Sequence, residues 1–341
     1  MAVVGASGYT GEELVRLLLR HPHAELVAAT SRQFAGKTVA EIFPRTAHHS
    51  KAIALKFTDA SPAKIAKEAE IVFLALPHGV AVDFAGPRLE AGARVIDLSA
   101  DFRIRNAAIY REFYGHEHGA PTLLAGAVYG LPEIYRDQIR EARLVACPGC
   151  YPTSILLPVI PLLREKLIKP GSVIANSLSG VSGAGRKAEL DYLFVECNES
   201  IRPYGVPKHR HLAEIEQELS VAAGSTVTIQ FTPHLVPVNR GILTTLYLAP
   251  TDIGQDAKRI DAAFHQSYAN EPFVRLLDEK TLPDTKNVAG SNFIEIAWRH
   301  DPRTGRLIVM SAEDNLLKGA SGQAIQCFNV ICGCEETAGL L

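Results

Sequence analysis

The stretch VVGASGYTGEELVRLL, residues 3–18, decides the fold of this 341-residue chain. It sets Gly5, Gly8 and Gly11 between an apolar strand stub and a segment in which Leu14, Leu17 and Leu18 fall on one helical face. The spacing is G-x-x-G-x-x-G rather than the commoner G-x-G-x-x-G. Small residues let backbone approach a pyrophosphate, and the helix start offers it N–H groups and a partial positive charge. Gly5, Ser7, Gly8, Tyr9, Thr10 and Gly11 are therefore read as a dinucleotide-binding turn. The next strand, AELVAAT, runs into Ser31 and Arg32, with no acidic residue where an NAD enzyme carries one for the ribose 2′-hydroxyl. A hydroxyl and a guanidinium suit a 2′-phosphate, so NADP is expected over NAD.

Outward from that stretch, AEIVFLALP and ARVIDLS read as strands with VAVDFAGPRLEAG as the helix between them, and ARLVAC as a further strand. This alternation predicts a parallel α/β sheet. Past residue 150 the pattern changes. TSILLPVIPLLREKL predicts a long buried helix despite Pro158 and Pro161, prolines that imply a kink or a broken start. GSVIANSLSG, TVTIQFTPHLV, GILTTLYLAP, SNFIEIAWRH and GRLIVMSAED read as strands, the last two joined in a hairpin across DPRT. That half is expected to be α+β with a mixed sheet. GASGQAIQCFNVICG returns to helix, with Ala324, Ile325, Phe328 and Ile331 on one face, and is expected to pack back on the first domain.

Composition narrows the function. Apolar residues make up 47% and charged residues 21%, with a net charge of −2, so neither a nucleic acid nor a membrane is expected as partner. Six cysteines without an export signal suggest reduced thiols and a cytoplasmic location.

ACPGCYPT, residues 146–153, carries two of those cysteines. Cys147 and Cys150 can be read as a redox pair, half of a metal site, two inert thiols, or one nucleophile beside a bystander. Zinc needs about four ligands, and Cys332 and Cys334, with a one-residue gap, are poor companions; no metal is expected. The single-nucleophile reading is preferred. Cys150 follows a strand, a helix is expected to begin at Thr153, and a helix N-terminus favours a thiolate. RPYGVPKHRHLAEIEQEL offers the acid/base partner: His211 and Glu214, one helical turn apart, would share a face, with Lys208 and His209 close by.

Taken together and in order, GASGYTGEELVRLL, LALPHG, DLSADFR, YGLPE, PGCYPT, SGVSGAGRK, YGVPKHRHLAEIEQ, PHLVPVNRGI and DNLLKGASGQAIQ resemble the N-acetyl-gamma-glutamyl-phosphate reductases of arginine biosynthesis, relatives of aspartate-semialdehyde dehydrogenase. The resemblance implies a Rossmann-type NADP-binding domain, residues 1–150 and 316–341, and a catalytic and dimerisation domain, residues 151–315. It implies NADPH-dependent reduction of an acyl phosphate through a thioester on Cys150, with release of phosphate. His211 is the implied acid/base and His209 the reserve. Arg103 would hold the leaving phosphate, and Lys208 and Arg240 would steer the substrate. Pro77, His78, Gly79 and Ser99 would line the dinucleotide site. Ser179, Ser182 and Gly183 would wall the nicotinamide half, and Asn315 would bond its carboxamide. A homodimer or homotetramer is implied. Alternatives are the related aminoadipyl-phosphate reductase, aspartate-semialdehyde dehydrogenase, and a non-catalytic NADP sensor. Cys147 stands where the family usually has asparagine.

Overall fold

Short strands of Ala, Val, Ile and Leu, buried on both faces, build the first sheet, as a parallel sheet covered on both sides requires. The computed structural model describes residues 1–59 and 69–341. Two compact units are present, Met1–Pro148 with Ala320–Leu341, and Gly149–Gly319.

In the first unit the strands are β1 (Ala2–Val4), β2 (Ala28–Thr30), β3 (Phe57–Thr58), β4 (Ile71–Leu74), β5 (Arg94–Asp97), β6 (Ala127–Tyr129) and β7 (Leu144–Ala146). They pair in the order β3-β2-β1-β4-β5-β7-β6, all parallel. The order reverses between β1 and β4, and open α/β sheets bind ligands outside the carboxyl ends of their strands at such a point. The glycine turn leaves β1 there and enters α1 (Tyr9–Arg20). Helices α2 (Ala81–Glu90) and α3 (Pro132–Glu141) follow. The last helix of the chain, which we number α7 (Gly322–Cys332), contacts α1, α3 and β5. Every residue from Gly322 to Ile331 is buried, so this helix is enclosed all round rather than along the single apolar face expected from its sequence. Its polar side chains bond inside the unit: Gln323 Nε2 donates to Gly130 O at 3.0 Å, and Gln326 Nε2 to Glu133 Oε1 at 2.9 Å.

The second unit holds β8 (Ile174–Gly180), β9 (Arg202–Pro203), β10 (Gln230–Val236), β11 (Ile242–Leu248), β12 (Val274–Leu276), β13 (Ile294–Asp301) and β14 (Arg306–Glu313), paired in the order β12-β13-β14-β11-β8-β10-β9. Two pairings, β8 with β10 and β12 with β13, are parallel and the rest antiparallel. β13 and β14 form the expected hairpin, in register from Ile294↔Glu313 to Asp301↔Arg306.

Against this sheet lies α4 (Cys150–Arg164), in contact with α5 (Leu212–Ala223), α6 (Ala257–Tyr268), β11 and β14. One expectation about α4 needs correction, the place where it begins. It starts at Cys150, not Thr153, because Pro152 falls in the first turn, where a missing N–H costs nothing. As expected, it runs on through Pro158 and Pro161 as one long helix. Each proline deprives the carbonyl four residues back of its donor. Those carbonyls, Ser154 O and Leu157 O, accept instead from Ser311 Oγ at 2.7 Å and Tyr268 Oη at 2.6 Å. Side chains from β14 and α6 thus replace the two missing helical bonds.

Candidate active site

In the first unit Gly5 has φ of +80°, and a Cβ there would lie 2.3 Å from Ala75 O. Only glycine makes this turn. Gly5 N donates to Thr30 Oγ1 at 3.1 Å, and Ser31 Oγ donates to Ser7 Oγ at 2.9 Å, which joins the turn to the end of β2. Gly8 is the N-cap of α1 and makes no side-chain cap, so the helix presents the N–H groups of Tyr9, Thr10 and Gly11 at the turn. Arg32 lies at the same edge, its side chain 83% exposed and only 3.7 Å from the exposed Asp59 carboxylate. Such an exposed ion pair holds the guanidinium weakly. The glycines, Ser7 and Ser31 therefore come together, and Arg32 follows Ser31 just past the end of β2.

Pro77, His78 and Gly79 form the loop after β4. Gly79 N donates to Asp101 Oδ1 at 2.7 Å, and Ala100 N donates to His78 Nδ1 at 3.2 Å. Ser99 is turned inward: its N–H and hydroxyl both donate to the Asp97 carboxylate, and its Oγ accepts from Asp101 N. Asp97 is fully buried. Burial pushes its carboxyl up to about 7, helped by the charge of Asp101 and opposed by the Ser99 bonds and Arg103. Arg103 is buried too and donates through Nε to Cys147 O at 2.7 Å and through Nη2 to Leu98 O at 2.8 Å. It clasps the ends of two neighbouring strands, β5 and β7, a bracing task that the sequence did not suggest. Asp97 and Asp101, which organise these loops, were not singled out from sequence. Their spacing around Ser99 in DLSADFR is the signal that could have found them.

In the second unit Cys150 is the first residue of α4 and Gly149 its N-cap. Unsatisfied N–H groups and the positive end of the helix dipole favour an anion at that position. A Cβ on Gly149 would lie 2.7 Å from His211 Cε1 and Nε2 and 2.9 Å from Glu214 Oε1. The imidazole and the carboxylate therefore converge on the residue next to the thiol, and only glycine leaves room for both. Glu214 is fully buried, and its Oε2 accepts from Gly149 N at 3.2 Å. His211 is the N-cap of α5 and Glu214 lies in its first turn, so the single-turn spacing read from the sequence puts both at one helix end.

His209 plays a different part. Its Nδ1 accepts from His211 N at 3.1 Å. Its ring packs among Tyr151, Tyr204, Phe231 and His211, with centroids 4.9 to 5.6 Å away. Burial, with the charge of Arg210, pushes its imidazole down to about 4. It is a neutral support for His211 at physiological pH. Tyr151 and Tyr204 share a hydroxyl–hydroxyl bond of 2.8 Å, and burial pushes both phenols up.

Ser179, Ser182, Gly183 and Asn315 are brought together. Asn315 Nδ2 donates to Ser182 Oγ at 2.9 Å, its Oδ1 accepts from Gly241 N at 2.8 Å, and a Cβ on Gly183 would lie 3.2 Å from Ser179 Oγ. Arg240 reaches Asp314 Oδ2 at 3.5 Å, and Lys208 is exposed. Two residues near Cys150 escaped the sequence reading. A Cβ on Gly319 would lie 2.6 Å from Cys150 Cβ and 2.9 Å from Glu313 Oε1. Gly319 sits in a π-helical turn, Leu317–Ser321, a distortion frequent at functional sites.

Residues 1–142 match the family model described as semialdehyde dehydrogenase, NAD binding domain, and residues 150–315 the one described as semialdehyde dehydrogenase, dimerisation domain. Among curated proteins, N-acetyl-gamma-glutamyl-phosphate reductase of Akkermansia muciniphila is 56% identical over 341 residues, covering 100% of this chain and 98% of that protein. The enzyme of the same name from Moorella thermoacetica is 51% identical over 340 residues, covering 99% of this chain and 96% of that protein. Among solved structures, aspartate semialdehyde dehydrogenase II from Vibrio cholerae superposes with a TM-score of 0.73 at 17% identity, covering 97% of this chain and 98% of that one. Aspartate semialdehyde dehydrogenase with NADP from Candida albicans gives a TM-score of 0.72 at 17% identity, covering 97% and 98%. At that identity the solved structures speak for the fold alone. The full-length likeness in sequence goes further: this chain belongs to the N-acetyl-gamma-glutamyl-phosphate reductase family, within the semialdehyde dehydrogenases.

Proposed function

We propose that this chain reduces N-acetyl-L-glutamyl 5-phosphate to N-acetyl-L-glutamate 5-semialdehyde with NADPH, through a thioester on Cys150. The observation that carries the reading is the convergence of His211 and Glu214 on Gly149, beside a cysteine at the first position of a buried helix.

The dinucleotide fits the first unit. The Gly5 turn excludes a side chain, the start of α1 faces it, and Ser7, Ser31 and Arg32 supply hydroxyls and a cation with no acidic residue at the end of β2. When bound, the cofactor supplies the hydride. The chain's own residues do the rest. Cys150 Sγ bonds the acyl carbon, and the carbon–oxygen bond to phosphate breaks. The thioester keeps the acyl group on the protein for reduction once phosphate has left. His211 takes the thiol proton as Cys150 attacks, gives it to the former carbonyl oxygen on reduction, and takes it back as the carbon–sulfur bond breaks, the aldehyde leaves and Cys150 departs as thiolate. Glu214 fixes Gly149 through its N–H and lies against the imidazole's position, which keeps the ring aimed at the thiol turn. Assembly as a dimer through the second unit accords with the family description matched there; a tetramer is the larger alternative.

The test is a single-turnover assay on Cys150→Ser and Cys147→Ser. A hydroxyl at neutral pH is a far weaker nucleophile than a thiolate, so Cys150→Ser should lose nearly all turnover and still bind NADPH, while Cys147→Ser should keep its activity. Acyl phosphate added without NADPH should acylate Cys150 alone. An adduct on Cys147, or equal loss in both variants, would end the single-nucleophile account.

A further inference from the structure

Glu313 is a fully buried carboxylate on the strand that packs against the nucleophile's helix. β14 alternates so that Leu307, Val309, Ser311 and Glu313 share one face, and Ser311 on that face donates to Ser154 O of α4. Glu313 lies two residues further along β14, nearer the start of α4. Its Oε1 and the Cβ of Cys150 both lie within 3 Å of the point where a Cβ on Gly319 would stand. The glycine leaves the carboxylate and the thiol-bearing carbon around one empty position. Nothing in the reaction as derived above uses this carboxylate.

We propose that Glu313 is a positioning residue that holds Cys150 in its thiol form between turnovers. In its ionised form, a carboxylate buried beside a thiol opposes the helix dipole and disfavours a second negative charge at short range. The nucleophile is then ionised only as His211 takes up its proton, and the resting enzyme carries a thiol that reacts slowly with electrophiles and oxidants.

The other charged and titratable groups around Cys150 have stated tasks. Glu214 accepts from Gly149 N, beside His211. Asp314 accepts from Leu316 N and Leu317 N through Oδ1 and from Gly290 N through Oδ2, and it faces Arg240. Tyr151 and Tyr204 are phenols kept neutral by burial. Lys318, fully buried in the π-helical turn, has its ammonium 5.8 Å from the Phe273 ring and supplies a cation on the turn that follows Glu313.

The proposal rests on Cys150 as nucleophile, and that reading fails separately, by the absence of an acyl adduct on Cys150. The present inference is read by iodoacetamide alkylation of Cys150 against pH, followed by peptide mass mapping, in the wild type and in Glu313→Gln. The glutamine variant should move the alkylation midpoint down by about one pH unit, a roughly tenfold faster reaction below the midpoint. The acid limb of its kcat/KM profile should move the same way. A purely structural role would lower thermal stability and leave the midpoint in place, and that result overturns the proposal, as does a midpoint that rises. Should the glutamine variant not fold, Glu313→Asp withdraws the same charge by one methylene. It must lower the midpoint by less than one unit, and an unmoved or raised midpoint again overturns the idea.

Discussion

His209 and His211 are two residues apart and chemically identical, yet their surroundings give them different work. His209 is pushed down to about 4 by burial and spends Nδ1 on the backbone of His211. His211 has its ring against the glycine that precedes the thiol. His211→Asn is therefore expected to abolish single-turnover hydride transfer. His209→Asn, whose amide oxygen can still accept from the His211 N–H, loses only the ring packing and should retain measurable transfer, with a loss of no more than about tenfold. The reverse ranking, read by stopped-flow at 340 nm as the cofactor's absorbance, would refute the assignment. Arg32 is the matching residue in the first unit. Arg32→Ala should weaken NADPH binding about ten- to a hundredfold, the range for a charge-assisted bond, and spare NADH; equal loss for both would remove Arg32 from 2′-phosphate recognition. Cys150, His211 and Glu214 were legible because short motifs carry them at spacings with a chemical meaning. Glu313 and Gly319 were not, because they come to Cys150 from a strand and a turn at the far end of the second unit's chain, and contacts of that range leave no local pattern. The bracing role of Arg103 was hidden for the same reason: its acceptors are backbone carbonyls, and carbonyls have no letter in a sequence.

At the scale of an element, α4 shows how a buried helix keeps two internal prolines. The rule that a buried proline breaks a helix assumes that the orphaned carbonyl finds no donor. Ser311 and Tyr268 supply the donors from outside. Neither residue could be assigned that duty from sequence, since both read as ordinary members of a strand and a helix. The structure thus couples the helix that Cys150 begins to β14 and α6 through two hydroxyls. Tyr268→Phe isolates one of them, because it keeps the ring and removes only the oxygen. Leu157 O then lies buried with no donor, at a cost of about 1–3 kcal/mol, and urea denaturation of the purified variant should show a midpoint lowered accordingly. An unchanged midpoint would mean that Leu157 O finds another donor. The glycine turn, by contrast, was fully legible, because Gly5 answers a constraint internal to its own β1–α1 unit.

At the scale of the whole molecule, the fold class was readable because each unit advertises its sheet by period. Continuous apolar runs three or four residues long mark the two-sided parallel sheet, and longer alternating strands such as β11 and β14 mark the mixed one. The first unit also carries a pH-sensitive element that no pattern announces. Asp97, at the end of β5, is raised to about 7, first by burial. An unfolded aspartate titrates near ~3.9. Between about pH 4 and about pH 7 the native chain keeps a proton that the unfolded chain has lost, so the native state binds more protons and stability falls as pH rises through that window. Above the native value both states are ionised and the loss is complete. Asp97→Asn keeps an oxygen to accept from the Ser99 N–H and removes the titration. The variant's stability relative to the wild type, measured by urea denaturation at a series of pH values, should therefore improve from about pH 4 to about pH 7 and level off above that. The other carboxylates titrate alike in both proteins and cancel in that difference. A difference that stays constant across the series would show that Asp97 is ionised in the native state throughout, held there by Ser99 and Arg103 rather than neutralised by burial.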